Sequence, residues 1–382
     1  MQKKHLGRML CSFALSALTL WGVSVTTAAK DARAALRSLR EESLGVMLLR
    51  YERGDDGEEY LSMQTSLALR AAPLLRGEDE RIAQAWSTEL TQKPDDGAAG
   101  DAQDNEGTVL TQEKTPDEVA VTENGVPART LKASDPSGYT VFGNVYINNG
   151  SDAALDASML SGDYAAKLGA EGPQVLIIHT HGTESYTMPP GQEYDVSDTF
   201  RTLDTNCNMI RVGDEMARTL TECGISVVHD RALYDYPSYS GAYNRSLASI
   251  ERYLEKYPSI SFVLDVHRDA VQDANGNQFK LLCGEDAGAA QLEFVIGSNG
   301  GGLSHDLWRE NLKLACAVQE TLYKDHPTLM RPVTVRNSRY NQHMTTGSLL
   351  VEVGTAGNSL EEAINAARIF AAGFAKTLQN GE

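Results

Sequence analysis

The chain has 382 residues, 41% hydrophobic and 23% charged, which suffices for one large domain with accessory segments or for two small ones. Its 52 Asp and Glu against 34 Lys and Arg leave a formal net charge of -18. That balance excludes nucleic acid as a partner, because phosphate binding needs a basic face.

The chain opens on a basic stretch, "MQKKHLGR", followed by Met9–Val25 without a charge and then by small residues at Thr27, Ala28 and Ala29. This is the pattern of an export signal or a membrane anchor, and residues 1–29 are read as one or the other, with the anchor favoured. The basic flank would stay in the cytoplasm and the rest of the chain would lie outside. Residues 30–92 read as a partly helical juxtamembrane region, short of large apolar residues. Residues 93–138 are rich in Asp, Glu, Gly, Pro and Ala and nearly free of aromatics, so they read as an acidic disordered linker.

From Tyr139 the pattern changes, and residues 139–382 read as the catalytic domain. "YTVFGNVYIN" alternates as strands do, and "QVLIIHT" is a short apolar run of the kind buried on both faces. The next segment places Met209, Val212, Met216 and Leu220 on one helical face and closes at Gly224. "ISVVHD" is a strand, "YNRSLASIERYLEKYP" a helix stopped before Pro258, and "ISFVLDVH" a further strand. "KLLCGEDAGAAQLEFVIG" holds two strands, "DLWRENLKLACAVQETLYKD" a helix, and "RPVTVR" and "SLLVEVG" the last strands. Ser359 and Glu362 form a capping-box pattern before the closing helix, whose buried face is read as Ile364, Ala367, Ala371, Phe374 and Leu378. This alternation predicts an α/β fold: a mixed, mostly parallel sheet with helices on both faces and ligands bound outside the carboxyl ends of its strands.

Three strand ends carry acid or ligand chemistry: "HTHGTES", "VHRD" and "VEVG". The set suits a zinc hydrolase, in which three protein ligands leave a fourth position for water. His181 and Glu184 have the H-x-x-E spacing, His267 is the third candidate ligand, and Glu352 is the candidate general base. An unpartnered carboxylate in "LLVEVG" would be costly, so Glu352 needs a purpose. Arg268 is a candidate to polarise the scissile carbonyl. His179, two positions before His181, would point the same way on a strand and competes with it for the ligand role. Asp265 could orient His267 through its far nitrogen, whereas His229 and His343 read as structural. The five cysteines are scattered without a CxxC, so they read as small buried hydrophobes.

The blocks "HTHGTESY", "NMIRVGDEMARTL", "PSYSGAYNRSLASI", "FVLDVHRDA", "WRENLKLA", "RYNQ" and "LLVEVGTAGNSLEEA" follow one another as in the stage II sporulation protein P family, which the chain resembles over roughly 139–382. The resemblance implies a fold similar to zinc-dependent cell-wall amidases. It implies an N-acetylmuramoyl-L-alanine amidase acting on peptidoglycan, with endopeptidase activity on stem peptides, in septal wall degradation during engulfment. Zn²⁺ would be held by His181, Glu184 and His267, with Glu352 as base; Asp204 is the alternative acidic ligand if the site follows other amidases more closely. The resemblance also implies a place in the membrane around the forespore, and as partners a transglycosylase of the stage II sporulation protein D type and a scaffold of the protein M type. On the residues alone, a secreted zinc carboxypeptidase and an inactive wall-binding scaffold stay open. The polar loops "PPGQEYDVSDTFRTLD" and "RDAVQDANGNQFK" are expected to wall an open groove.

Overall fold

A computed structural model describes the backbone of residues 108–109, 117–121 and 126–381, apart from 170, 190–199 and 273–277. The expected anchor, the juxtamembrane region, Cys11 and the centres of the two groove loops lie outside these residues. Among the described residues no helix is long and apolar enough to cross a membrane.

Three upstream strands come first: β1 (Thr108–Val109), β2 (Asp117–Val121) and β3 (Pro127–Thr130). They correct the reading of 93–138 as wholly unstructured. β1 pairs with β9 (Val271–Gln272), and β3 lies between β2 and β10 (Lys280–Leu281). The short alternations "DEVAV" and "PART" can pair at an edge although their surroundings have a linker's composition. Backbone hydrogen bonds need little side-chain burial when a neighbouring strand is already fixed.

The principal sheet begins with a hairpin of β4 (Thr140–Phe142) and β5 (Val145–Asn149), turned at Gly143 with φ 58°. Next come β6 (Val175–Ile178), helix α1 (Met209–Glu222), β7 (Val227–His229), helix α2 (Ala242–Lys256) and β8 (Phe262–Asp269). After β10 follow β11 (Leu292–Gly297), helix α3 (Trp308–Tyr323), β12 (Val333–Arg336), β13 (Gly347–Thr355) and helix α4 (Leu360–Asn380). The strand order is β4-β5-β12-β11-β13-β8-β6-β7. All neighbours are parallel except β4/β5 and β11/β13. Because β11 runs against β13, the carboxyl ends of β6, β8 and β13 share one edge of the sheet with the amino ends of β11, β12 and β5.

Alternation along the strands divides the core. Val175, Ile177, Phe262, Leu264, Phe294, Val351 and Val353 face α1, α3 and α4 in the larger cluster. Leu176, Ile178 and Val263 face the other way, onto Ala242 and Ile250 of α2. Helices therefore lie on both faces only around β6 and β8. On the α2 side beyond β13 the sheet presents Glu352, Glu293, Thr334, Arg336, Asn148 and Tyr146, mostly half-exposed, and among the described residues no helix packs on them. Helices on both faces are thus present as expected, with the second face covered only near β6 and β8. "VTVR" and "VYINN" alternate apolar and polar, the pattern of strands with one wet face.

Met209, Val212, Met216 and Leu220 are all fully buried on α1, and Asn208 caps the helix by accepting from the N–H of Ile210. The capping box at Ser359 and Glu362 is present. The buried stripe of α4 differs from the expectation at one place: Ile364 is half-buried, and Ala363 and Phe370 face the core instead. Cys207, Cys223, Cys283 and Cys316 are free thiols.

One buried carboxylate ties α1 to α4. Glu215 Oε1 accepts from Arg218 at 2.6 Å and from Arg368 at 3.0 Å. Burial alone would raise its pKa, but these two guanidinium donors outweigh it and hold the group at about 2. A depressed folded pKa stabilises above the unfolded value, about 4.3. The contribution is lost as pH falls from there towards 2. Glu215→Gln is expected to lower stability at pH 7 by about 1–3 kcal/mol, the arginines being half-exposed. It should also flatten the loss of stability between pH 4.5 and 2, about the range set by the two pKa values. Urea melts of both proteins across that range check this.

Candidate active site

Beyond Ile178 the chain leaves β6 and turns, with the N–H of Glu184 donating to the carbonyl of His181 at 3.1 Å. The turn ends the strand alternation, so His179 and His181 do not share a direction. His179 is fully buried against α1, its Nδ1 2.8 Å from the carbonyl of Val266 and its Nε2 2.9 Å from Nε2 of His229. A carbonyl only accepts, so Nδ1 of His179 carries the proton. Burial, with His229 close by, lowers its pKa to about 3, and the ring is neutral. His179 is thus tied into a structural pair.

His181 lies on the other side. Its ring stacks on Tyr239 with centroids 4.4 Å apart, meets Tyr243 edge-on, and lies 5.2 Å from the ring of His267 at 77°. His267, buried near the end of β8, has Nε2 2.9 Å from Asp265 Oδ1 and Nδ1 3.5 Å from Glu184 Oε2. Asp265 is itself fixed, accepting from the N–H and hydroxyl of Thr180 at 2.8 and 2.6 Å. Burial opposes charge on His267, but Asp265 and Glu184 outweigh it and raise its pKa well above the ordinary value. For Glu184 burial is likewise outweighed, here by His267, Arg268 and His181, and its pKa is lowered.

Among the described residues no three His, Cys, Asp or Glu side chains form a closed metal site. The donors fit zinc in pairs. Two donors about 2.0–2.1 Å from a tetrahedral ion are about 3.3 Å from each other, and imidazole rings sharing that ion have centroids about 5 Å apart. The Glu184–His267 contact of 3.5 Å and the His181–His267 ring spacing of 5.2 Å match both values. Asp265 Oδ1 lies 2.9 Å from the far nitrogen of His267, an ion-pair contact without hydrogen-bond alignment, on the side from which a carboxylate orients a metal-binding imidazole. Asp204 is exposed instead, its Oδ1 accepting from Asn206 within a turn.

Glu352 stands in register beside His267, one strand over. Its Oε2 is buried without a hydrogen-bond partner. Burial pushes its pKa up to about 8; His267 opposes the shift, whereas Asp269, Glu184 and Glu293 add to it. A carboxyl in that state can take and release a proton near neutrality. Two neighbouring acids are held elsewhere, since buried Arg331 binds Asp269 at 2.7 Å and Glu293 at 2.8 Å.

Arg268 is turned away from a substrate. Its Nε donates to the carbonyl of Ser185 and its guanidinium NH2 to that of Phe200, both at 3.1 Å, and its backbone N–H donates to Glu184 Oε2 at 3.3 Å. Arg201 bridges Glu184 at 3.5 Å and Asp235 at 3.0 Å. Tyr239, Arg201, Asp235 and Arg331 are site residues that sequence reasoning did not single out. Glu293 could have been found, because "LEFVIG" sets a carboxylate in a buried strand as "LLVEVG" does.

The His179–His229 pair rests on Gly213 of α1, where a methyl group would meet both rings. Gly213→Ala gains about 1 kcal/mol of helix propensity but overpacks a tight contact. The expected net result is destabilisation by about 1–2 kcal/mol. A thermal melt of both proteins checks this.

Several known proteins are similar to this chain. The sequence profile of the family described as Stage II sporulation protein P matches residues 55–375. Stage II sporulation protein P of Bacillus subtilis (strain 168) is 28% identical over 221 residues, 54% of this chain and 52% of that protein. The chain thus matches about half the length of this curated relative. Among solved structures, the amidase CwlD from Clostridioides difficile, in complex with the GerS lipoprotein, is 14% identical with a TM-score of 0.35, over 55% of this chain and 98% of that one. N-acetylmuramoyl-L-alanine amidase AmiC2 of Nostoc punctiforme is 16% identical with a TM-score of 0.30, over 56% of this chain and 96% of that one.

Proposed function

The chain belongs to the stage II sporulation protein P family, and from that premise we propose that it is a peptidoglycan hydrolase cleaving the amide between N-acetylmuramic acid and L-alanine, with endopeptidase activity on stem peptides, in septal wall degradation during sporulation. The observation that carries this reading is the donor pair Glu184–His267 at 3.5 Å, with His181 and Glu352 alongside.

His181, Glu184 and His267 would hold Zn²⁺, which when bound acidifies a water and polarises a carbonyl. Asp265 holds His267 so that Nδ1 is turned to the ligand side. Glu352 accepts a proton from the attacking water at its carboxylate and returns it to the leaving amine nitrogen. Burial and the neighbouring carboxylates of Asp269, Glu184 and Glu293 keep its proton affinity high enough for that exchange. We assign Arg268 a positioning role: it fastens the Ser185 and Phe200 carbonyls and so holds the turn carrying Glu184. The open sheet face beyond β13 gives a polymer room to lie across the strands. An N-terminal anchor, a position at the forespore membrane, and partners of the protein D and protein M types complete the proposal.

Digestion of purified wall by the full chain, with and without chelator, tests it. Expected products are stem peptides with a free N-terminal L-alanine, absent in chelator. Release of single C-terminal amino acids would instead establish a carboxypeptidase, and wall binding without products a scaffold.

A further inference from the structure

Asp265 stands behind His267, and an aromatic ring stands beside His181. Tyr239 lies 4.4 Å from His181 between ring centroids, with the two planes 4° apart, so the rings overlap face to face. Tyr243 meets the same imidazole edge-on at 5.5 Å. His181 is 4% exposed and Tyr239 38% exposed, so the phenol ring covers the imidazole from the solvent side. Arg201 adds a further contact. Its guanidinium carbon is 4.9 Å from the centre of the Tyr239 ring, and its NH2 is 3.5 Å from Glu184 Oε1. The other oxygen of Glu184, Oε2, is the one that meets His267 Nδ1 at 3.5 Å. Tyr239 and Arg201 thus join His181 to Glu184 through side chains that are not themselves candidate ligands.

The loop that supplies the ring is fixed by its own contacts. Tyr239 stands between β7 and α2, just before Gly241, whose φ of 80° glycine adopts without strain. Arg245 of α2 donates to the carbonyls of Tyr234 at 2.6 Å, of Ser240 at 3.1 Å and of Ser238. Asp235 on the same loop accepts from the Thr183 hydroxyl at 2.5 Å and from Arg201 at 3.0 Å, which docks the loop on the turn between His181 and Glu184. A ring held in this way loses little freedom when a ligand arrives. Metal ligation also leaves an imidazole more positive, and the negative face of a phenol ring favours that state. We propose that Tyr239, backed by Arg201, is a positioning residue that tightens zinc binding by holding His181 in its ligating orientation. The inference rests on the zinc-site reading above.

The test is the zinc dissociation constant of the full chain, measured by competition with a colorimetric chelator. Tyr239→Ala is expected to weaken zinc by about 10–100-fold, the usual range for side chains that orient metal ligands. Tyr239→Phe keeps the ring and should match the parent. Thermal melts of the chelated proteins should nearly coincide, because so exposed a ring adds little to the core. Arg201→Lys keeps the charge beside Glu184 and gives up the planar group over the ring. Combined with Tyr239→Ala it should weaken zinc by less than the product of the two single effects, since the contact is shared. Zinc held as tightly by Tyr239→Ala as by the parent, a Phe variant as weak as the Ala variant, or loss of the cooperative melt in chelated Tyr239→Ala would each overturn the positioning role. Single effects that multiply in full would overturn the share of Arg201. A parent chain that binds no zinc defeats the zinc site and this role together, whereas tight zinc indifferent to Tyr239 defeats the role alone.

Discussion

Glu352→Gln is expected to lower wall digestion by about 10²–10⁴-fold, the usual range for removing a general base, with unchanged metal content. The amide keeps the shape of the carboxyl group and cannot accept the proton. Glu352 contacts no donor through Oε2, so the substitution breaks no hydrogen bond there. It also removes a buried acid held next to Asp269, Glu184 and Glu293. Thermal stability should therefore hold or rise, and a fall in both activity and Tm would count against the assignment. The sign of the pH effect follows from the raised pKa. In chelated protein the stabilisation from a protonated Glu352 is complete below its unfolded value, about 4.3, and is lost as pH rises through about 8. Glu352→Gln should remove that alkaline slope.

His267→Ala is expected to abolish both metal retention and activity, an effect at least as large. It removes the side chain that meets Glu184 at 3.5 Å and His181 at 5.2 Å between rings. It also strands Asp265, which is buried and loses its closest basic partner. An unpaired buried charge costs about 3–5 kcal/mol, so Tm should fall as well. His267→Asn paired with Asp265→Asn relieves that charge and should restore the fold without restoring metal. His179→Gln gives the contrast: its partners are the Val266 carbonyl and His229, so it should lower stability and leave metal in place. Elemental analysis and melts of the four proteins separate the roles.

Much of the fold was legible because alternation and helical spacing report burial directly. The stripe Met209–Val212–Met216–Leu220 and the Ser359–Glu362 box are local patterns with local causes. The βαβ rhythm gave helices on both faces, and the open part of the second face was marked in the polar alternate positions of "VTVR" and "VYINN". The pairing of β1 and β3 was not legible, since these short edge strands owe their order to partners more than 140 positions away. In the site, Glu352 stood out as a carboxylate in an apolar strand. His179 and His181 could not be separated by spacing, because the outcome depends on where β6 ends and the turn begins. Nor does a sequence say which guanidinium a neighbouring carbonyl will engage, which is why Arg268 reads as an electrophile in the chain and as a loop fastener in the structure.

The central claim is that His181, Glu184 and His267 share one zinc ion beside Glu352, and zinc-edge X-ray absorption on the zinc-loaded full chain tests it most directly. The account predicts one tightly held zinc per chain, surrounded by two imidazole nitrogens and carboxylate or water oxygens at about 2.0–2.2 Å, and loss of that signal in His267→Ala. Sulfur neighbours at about 2.3 Å, or an unchanged signal in His267→Ala, would contradict it.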